Sequence, residues 1–466
     1  MTKLTRRSFA ALMAAAGVAS AAPTKQNILF IAIDDMNDWI GCLKGHPNTI
    51  TPNLDRLATL GVNFTSAHCA APLCNPARAA LMTGRRPSST GVYLNSQPYH
   101  GSKVSAGAVT LNQHFKNNGY LTIGCGKIYH GTQGRFADDQ GWHEYAKTKD
   151  SFKLAGPIPM AGAAAQAQFD WGPTDSGDEA MHDYQTAEWA AAHLGKQHDQ
   201  PMFLACGFSK PHLPWYVPKK YFDMHPLDGI QLPIVKEDDL DDVPEIGKKF
   251  ARASGDHARV TKAEAWKKGV QGYLAAITFA DAMVGKVLNA LEAGPNAKNT
   301  TIVLWSDHGW HLGEKSHWRK FTLWERSTRN ILMVVAPGVT KAGGVCERTV
   351  SMMDIYPTLM DLSGLKAPGV QEGESLLTWL KNPKAAKKTP ALTTYQFGNH
   401  AVRSERWRYI RYRDGSEELY DRDKDPNEWT NLAAKPEMVA VKKELAKWLP
   451  THDEADAPIR AGGEEK

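Results

Sequence analysis

Short apolar runs of strand length recur along the chain between longer amphipathic stretches. The runs at 27–33 (NILFIAI), 201–207 (PMFLACG) and 301–305 (TIVLW) are nearly continuous in apolar residues. Such runs are typical of strands that are buried on both faces of a parallel sheet. Apolar residues recur at helical spacing from Ala265 to Glu292, which predicts a long amphipathic helix. The pattern therefore predicts an α/β fold with a mixed, mostly parallel central sheet flanked by helices.

The pattern changes after about Leu380, where four short strand-like runs follow one another. The run from Arg413 to Ser416, RDGS, is a candidate hairpin turn between the last two, and a final helix is predicted at 436–449. We therefore predict a main domain at 23–380 and a small antiparallel α+β subdomain at 381–466.

The first residues resemble a twin-arginine export signal. Arg6 and Arg7 precede the apolar stretch ALMAAAGVASA, which has small residues near its end. We predict that residues 1–22 are a signal peptide, that the twin-arginine machinery is a partner, and that the mature protein is periplasmic or secreted. This stretch is too short to span a bilayer, and we expect no other stretch to be long and apolar enough, so we predict no stable membrane insertion.

Charge and cysteine content narrow the possibilities further. The 466 residues carry a formal net charge of +5, which fits anionic substrates but gives no argument for nucleic acid. Export would permit disulfides among the six cysteines. We nevertheless expect no disulfide framework, because Cys125 and Cys206 lie in or beside apolar, strand-like runs.

Acidic residues follow two of the predicted strands. Asp34 and Asp35 come directly after the run at 27–33, and Asp307 and His308 follow the run at 301–305. Ligands gather at the carboxyl ends of strands in open α/β sheets, and adjacent buried acids are costly unless they bind a cation. A helix cap, the simpler alternative, would need only one aspartate. Oxygen ligands suggest Ca²⁺, although His308 leaves magnesium, manganese and zinc open.

The segment CNPARAALMTGR at 74–85 has the pattern of a helix that begins beside a reactive group. Pro76 suits the first turn, and Gly84 suits the C-terminal cap. Cys74 then lies at the helix N-terminus, where free N–H groups favour an anion. Arg78 follows one turn later and can hold an oxyanion.

This segment resembles the signature of the type I sulfatases, C-x-P-[SA]-R-x-x-x-[LM]-T-G-R, from Cys74 to Arg85. The resemblance implies an alkaline-phosphatase-like fold and a maturase that oxidises Cys74 to formylglycine. One hydroxyl of the hydrated aldehyde would attack the sulfur of a sulfate ester, and the other would then expel sulfate. It also implies that residue 74 joins Asp34, Asp35, Asp307 and His308 around the cation. The alternative is an ordinary thiol at a turn.

Four further residues are assigned through the same resemblance. Lys127 and His130 lie in GKIYH, which is similar to the family's G-K-x-x-H, and both would contact the sulfate. His212 lies in KPHLP, similar to K-P-H-x-P, and would meet the leaving group. Lys320 ends WHLGEKSHWRK, which resembles the iduronate-2-sulfatase branch, and would bind the sulfate. The alternatives are surface residues and, for His212, a loop histidine held between prolines.

Substrate recognition is assigned to the C-terminal subdomain. His400 and Arg403 together could read a carboxylate or a second sulfate at the rim of the pocket. The alternative is that Arg403 forms a structural ion pair and that His400 is a surface residue. Trp215, Trp310 and Trp318 are available to stack on sugar rings unless they belong to the core.

The sequence thus predicts a calcium-dependent sulfatase that acts on sulfated polysaccharide or glycosaminoglycan-type saccharides. A phosphodiesterase or phosphonate hydrolase of the alkaline phosphatase superfamily is the first alternative. An inactive carbohydrate-binding relative is the second, although no expected cysteine or aspartate is missing. A thiol hydrolase that uses Cys74 and a histidine would leave the acids unexplained.

Overall fold

The computed structural model describes residues 25–459, so the signal peptide predicted at 1–22 lies outside the described residues. The strands are β1 (Asn27–Ile33), β2 (Val62–His68), β3 (Leu121–Gly126), β4 (Glu144–Ala146), β5 (Trp171–Thr174), β6 (Met202–Phe208), β7 (Trp215–Pro218), β8 (Thr300–Ser306), β9 (His311–Leu312), β10 (Trp318–Arg319), β11 (Arg329–Val335), β12 (Gly344–Ser351), β13 (Ala391–Thr394), β14 (His400–Arg403), β15 (Trp407–Arg411) and β16 (Glu417–Asp421). The helices are α1 (Pro52–Ala58), α2 (Cys74–Thr83), α3 (Pro87–Thr90), α4 (Leu111–Asn117), α5 (His182–Leu194), α6 (Lys219–Asp223), α7 (Glu245–Ala251), α8 (Asp256–Lys262), α9 (Trp266–Ala293), α10 (Glu325–Thr328), α11 (Ile355–Ser363), α12 (Leu377–Lys381) and α13 (Val439–Ala446).

The central sheet of the described chain has eight strands in the order β12-β2-β11-β8-β1-β6-β3-β4. Strand β11 runs antiparallel to both of its neighbours, β8 and β2, and the other pairs are parallel. Ile33 of β1 is in register with Phe208 of β6 and Ser306 of β8, so these three strands end level with one another. The predicted mixed, mostly parallel sheet is confirmed.

Strand β1 separates the two main cores of the protein. All seven of its residues are buried, as its continuous apolar sequence predicts. Leu29, Ile31 and Ile33 point into a core that includes α5 and α9. Ile28 and Phe30 point into a second core, on the opposite face, which includes α11. The helices thus cover both faces of the sheet and leave its strand ends for the site.

The long helix α9 is the central element of the first core. Its most apolar 18-residue window has a mean hydropathy of 1.4, so by length and composition the helix could cross a membrane. The expectation that no stretch after the signal would pass this test is therefore wrong. Because 78% of the window is buried inside the protein, α9 has the placement of a core helix.

The predicted C-terminal antiparallel sheet is formed by β13 to β16, in that order. Gly415 takes a φ of 85° in the hairpin between β15 and β16, a conformation that glycine adopts without strain. Thr394 N donates to Ala70 O at 2.9 Å, so β13 contacts the segment that leads into Cys74. The domain boundary at 380 stays a prediction. All six cysteines are free thiols.

Candidate active site

Cys74 is the first residue of helix α2, and its side chain is fully buried. Leu73 is extended and precedes the helix, while Gly84 ends it with a φ of 70°. The N-terminus of α2 therefore points its free N–H groups toward the position where chemistry is predicted. All ten residues of α2 are buried, so the helix is held by the surrounding protein.

The strand-end acids lie together because β1 and β8 are adjacent and end in register. Asp35 N donates to Asp307 Oδ1 at 3.0 Å, and His308 Nε2 lies 3.3 Å from Asp35 Oδ1. Asp35 has a φ of 57°, an uncommon conformation for a residue with a side chain, and Tyr273 Oη donates to its carbonyl at 2.8 Å. Backbone strain of this kind is concentrated at functional sites.

Three cations balance these acids. Arg78 Nε donates to Asp307 Oδ2 at 2.8 Å, and its Nη2 donates to Asp34 Oδ1 at 3.1 Å. Lys127 forms a short ion pair with Asp34. Lys320 Nζ lies 2.7 Å from Asp35 Oδ1 and 2.9 Å from Cys74 Sγ. The result is a buried, alternating array of charges around the sulfur of residue 74.

The array keeps its acids ionised and favours an anion at residue 74. Burial alone would raise the pKa of Asp34, but Lys127 and Arg78 hold it well below its usual range. Burial and Asp34 likewise raise the pKa of the Cys74 thiol, but Lys320 and Lys127 outweigh them and lower it to about 7. Charge on these groups is thus stabilised by specific partners and not by water.

The donor atoms fit one divalent cation. Those of Asp35, Cys74, Asp307 and His308 lie within 4.8 Å of one another, and an overlapping set replaces the last two by Asp34 and His212. Asp35 Oδ2 is buried and has no hydrogen-bond partner within residues 25–459, which is costly for a carboxylate oxygen unless a cation binds it. Carboxylate oxygens suit hard cations such as calcium and magnesium.

The two histidines of the sulfate-side motifs differ in exposure. The side chain of His212 is 29% exposed, and its Nε2 lies 3.8 Å from Asp35 Oδ2. His130 Nδ1 is buried without a hydrogen-bond partner among the described residues. Burial and Lys127 lower the pKa of His130 to about 3, so it is neutral at ordinary pH. His212 therefore faces the open side of the site, and His130 is a neutral hydrogen-bonding group.

Two supporting residues were not predicted from the sequence. The carboxylate of Asp183 accepts from Ser209 N and Lys210 N, both at 2.8 Å, and so positions the loop that carries His212. The ring of Trp305 lies 5.5 Å from the guanidinium carbon of Arg78. The sequence did offer a signal for Trp305, because it is the penultimate residue of strand β8. It offered no signal for Asp183, which lies in the first turn of α5.

The predicted rim position of His400 and Arg403 is wrong. Both lie on β14, and both are buried. His400 Nε2 lies 3.0 Å from Asp453 Oδ2, and Arg403 Nε donates to Glu325 Oε2 at 3.1 Å. Alternate residues of a short strand face opposite sides of the sheet, and here both sides are covered, so polar residues had to find partners inside. Arg403 thus forms the structural ion pair that was the alternative.

The three tryptophans considered for sugar stacking belong to the core. Trp215, Trp310 and Trp318 are at most 1% exposed. Trp215 packs edge-on against Trp310, with ring centroids 6.2 Å apart. At this exposure the three rings have almost no free surface on which a sugar could stack.

Residues 26–365 match the family model described as sulfatase. The chain belongs to the sulfatase family. A second model, described as N-sulphoglucosamine sulphohydrolase, C-terminal, matches residues 313–455 of this sulfatase. The family predicted from the 74–85 segment is confirmed, and with it the activity class, a sulfuric ester hydrolase.

The relatives of this sulfatase agree with that class. A sulfatase of Formosa agariphila is 41% identical over 454 residues, which cover 92% of this chain and 88% of the relative. The iduronate 2-sulfatase of Mus musculus is 31% identical over 407 residues, which cover 78% and 73%. The crystal structure of a phosphonate monoester hydrolase of Agrobacterium radiobacter has a TM-score of 0.76 at 23% identity and covers 91% of this chain and 94% of its own, which shows the shared fold alone.

Proposed function

We propose that this sulfatase removes sulfate from sulfated saccharides, with residue 74 converted to formylglycine and one Ca²⁺ ion beside it. The observation that carries the proposal is the position of Cys74 Sγ, 2.9 Å from Lys320 Nζ and 3.4 Å from His308 Nε2 at a helix N-terminus. A thiol alone does not need three buried carboxylates around it. Three buried carboxylates are expected where a cation is bound beside a nucleophile that attacks an anionic ester.

The positions of the side chains suggest a separate role for each in the reaction. Arg78, Lys127 and Lys320 neutralise the charge of the sulfuryl oxygens, because each already supports an anion in the site. A formylglycine hydrate supplies the oxygen nucleophile at position 74. A divalent cation, held by Asp34, Asp35, Asp307 and His308, supplies further positive charge for those oxygens.

Two histidines complete the reaction. His212 is partly exposed and lies on the open side of Asp35, where it can donate a proton to the oxygen of the leaving group. His130 stays neutral, because its pKa is about 3, and donates a hydrogen bond to the bound sulfate. We thus assign general acid catalysis to His212.

The relatives and the open cleft support the proposed substrate class. One relative is named an iduronate 2-sulfatase, and its name indicates a sulfated sugar as substrate. A cleft of about 480 Å³, a volume within the range of small-molecule sites, is lined by Leu73 and Phe321, the chain neighbours of Cys74 and Lys320. A sulfated saccharide is therefore the substrate that we propose.

Maturation and export belong to the same proposal. Conversion of Cys74 requires a formylglycine-generating maturase, and the 74–85 segment carries the signature that such an enzyme would recognise. The twin arginine at Arg6 and Arg7 supports export to the periplasm or medium as a folded protein.

Conversion and turnover test the proposal together. The chain is produced with a maturase, the mass of the peptide that contains residue 74 is measured, and p-nitrophenyl sulfate and sulfated disaccharides are assayed. We expect the aldehyde at position 74 and complete loss of turnover in Cys74→Ala. Cys69→Ala is the matched control, because the Cys69 thiol is also buried and donates to Ser327 O. Full activity of protein with an unconverted thiol contradicts the proposal, and faster hydrolysis of a phosphonate ester than of any sulfate ester favours the phosphonate hydrolase alternative.

A further inference from the structure

The wall of one cleft includes the chain neighbours of two catalytic residues. Leu73 precedes Cys74, and Phe321 follows Lys320, and both line the cleft. Asn95 also lines it, and its Oδ1 accepts from Asn75 N at 3.0 Å. For a substrate whose sulfate lies at residue 74, this neighbouring volume of about 480 Å³ is a place for the sugar.

The wall of the cleft is built from residues in an uncommon backbone conformation. Ala167, Arg252, Arg319, Phe321 and Gln396 all line it, and all have a positive φ, between 49° and 81°. Each such non-glycine residue costs free energy and persists only where the surrounding structure imposes it. Five such residues around one cleft mean that the surrounding structure fixes the shape of this part of its wall.

The acidic group of the cleft is already neutralised. Asp256 Oδ2 accepts from Arg319 Nε at 2.5 Å, and its other oxygen forms a short ion pair with Arg259. His317 is not an acid, and both of its ring nitrogens lie against backbone carbonyl oxygens. These groups therefore offer no anion to a further cation in the cleft.

Arg252 is that further cation. Its side chain is exposed, and its guanidinium makes no hydrogen bond or ion pair with any residue between 25 and 459. An arginine fork binds a carboxylate or sulfate through two parallel hydrogen bonds. The cleft thus carries one positive charge without a protein partner, and a ligand would have to supply the anion.

Arg252 is held at a fixed place relative to the sulfate site. It follows helix α7, whose last residue, Ala251, accepts from His317 Nδ1 at 2.6 Å. His317 Nε2 in turn lies 2.5 Å from the carbonyl oxygen of Lys320. The histidine ring therefore links the backbone that carries Arg252 to the backbone of the lysine that contacts residue 74.

We propose that Arg252 binds a second anionic group on the sugar substrate, a carboxylate or a sulfate, and so makes this sulfatase selective for acidic saccharides. The inference rests on the function proposed above and adds a residue that determines which sugars bind. Phe321, which is half-buried, borders the same cleft and offers an aromatic surface to the sugar ring, while the buried Tyr395 lies behind it with ring centroids 6.4 Å apart. Arg403, the cation assigned to this task from the sequence, is occupied by Glu325.

The test compares substrates that share one sulfate position. They are a sulfated disaccharide with a uronate, the same compound with a neutral hexose, the neutral compound with a second sulfate, and p-nitrophenyl sulfate. We expect the converted wild type to prefer the acidic compounds. In Arg252→Ala, kcat/KM for an acidic compound should fall roughly 10- to 100-fold, chiefly through KM, while that for p-nitrophenyl sulfate stays within about twofold.

Two variants separate contact from general charge. Arg252→Lys keeps the charge but lacks the fork, so we expect an intermediate loss on the acidic compounds. Lys249→Ala removes an exposed cation of α7, three residues away and outside the cleft, and should leave the preference unchanged. The compound whose kcat/KM falls most in Arg252→Ala shows whether Arg252 binds the carboxylate or the second sulfate.

Three outcomes overturn the inference. A wild type without preference for acidic compounds, or an Arg252→Ala variant that loses equally on all four substrates, refutes the role of Arg252 while the sulfatase activity stands. Converted protein that hydrolyses none of the sulfate esters refutes the proposed function, and the inference falls with it.

Discussion

Arg78 Nε donates to Asp307 Oδ2 at 2.8 Å, and neither side chain has any exposed surface. The same guanidinium reaches Asp34 through Nη2 at 3.1 Å. Arg78 therefore joins the residues that follow β1 and β8, the two adjacent strands whose ends form the site. Charge on a buried acid is tolerated only where such partners exist, so Arg78 both supports the fold and keeps the acids available.

Replacement of Arg78 by lysine should damage the site although the charge is retained. A single ammonium cannot bridge Asp34 and Asp307, so one buried oxygen loses its donor, at a cost of roughly 1–3 kcal/mol in the free energy of unfolding. We expect kcat/KM for p-nitrophenyl sulfate to fall at least about 100-fold. Urea denaturation and steady-state kinetics measure the two effects.

The control is Arg56→Lys, at a surface ion pair with Glu292 of 2.7 Å. Partly exposed pairs contribute little, so we expect less than about 1 kcal/mol and no kinetic change. Wild-type turnover in Arg78→Lys would mean that Arg78 has only a structural role.

Much of the site could be predicted because its residues sit where chain topology concentrates function. Asp34-Asp35 and Asp307-His308 follow apolar runs that read as parallel strands, and adjacent parallel strands end at the same edge of a sheet. The cysteine of the 74–85 segment lies at a helix start that Pro76 and Gly84 mark in the sequence. Local signals were sufficient for these positions.

The remaining features depend on contacts between distant segments. The burial of Arg403 follows from its meeting with Glu325, 78 residues earlier, and no local pattern announces it. The strands β2 and β12 were not predicted, because their pairing is interrupted by register shifts and their residues are mixed in polarity. Arg252 lies in a segment without periodicity, and its role depends on which other cations are already paired.

Removal of the metal should destabilise the protein as well as inactivate it. Without a cation, Asp35 Oδ2 is a buried acceptor without a partner among the described residues. At a free concentration 100 times the Kd, a bound ion contributes about 3 kcal/mol to stability. We expect EDTA to lower Tm and abolish turnover, calcium to restore both, and elemental analysis to find about one ion per chain.

The variant Asp35→Asn should bind no ion and show no rise in Tm on addition of calcium. Asp223→Asn, at an exposed acid paired with Lys219, should retain the full response. If elemental analysis shows that EDTA has removed all metal and the Tm is still unchanged, the predicted cation site is contradicted.

Replacement of Arg403 should affect stability and not substrate choice. Arg403→Met removes a buried partner of Glu325, but Arg408 and Arg422 remain beside that carboxylate. We therefore expect a loss of about 2 kcal/mol in the free energy of unfolding. Per folded molecule, kcat/KM on acidic and neutral substrates should both stay within about twofold of wild type.

Arg406→Met, in the turn between β14 and β15, is the matched control. Its side chain is 45% exposed and pairs with Asp421, so we expect less than about 1 kcal/mol of destabilisation. A selective loss of the acidic substrate in Arg403→Met would return this residue to the substrate site.

The role of His212 can be tested through the leaving group. Its Nδ1 lies 2.5 Å from the carbonyl oxygen of Leu213, which fixes the ring, and its Nε2 faces Asp35 on the open side of the site. A sugar alkoxide needs a proton as it leaves, whereas p-nitrophenolate leaves without one. In His212→Gln we therefore expect kcat/KM to fall about 100-fold or more on sugar sulfates and less than about tenfold on p-nitrophenyl sulfate. His130→Gln, which alters a group assigned to the sulfate itself, should reduce both by similar factors. If His212→Gln also reduces both equally, His212 binds the sulfate or holds the loop, and another group must protonate the leaving alcohol.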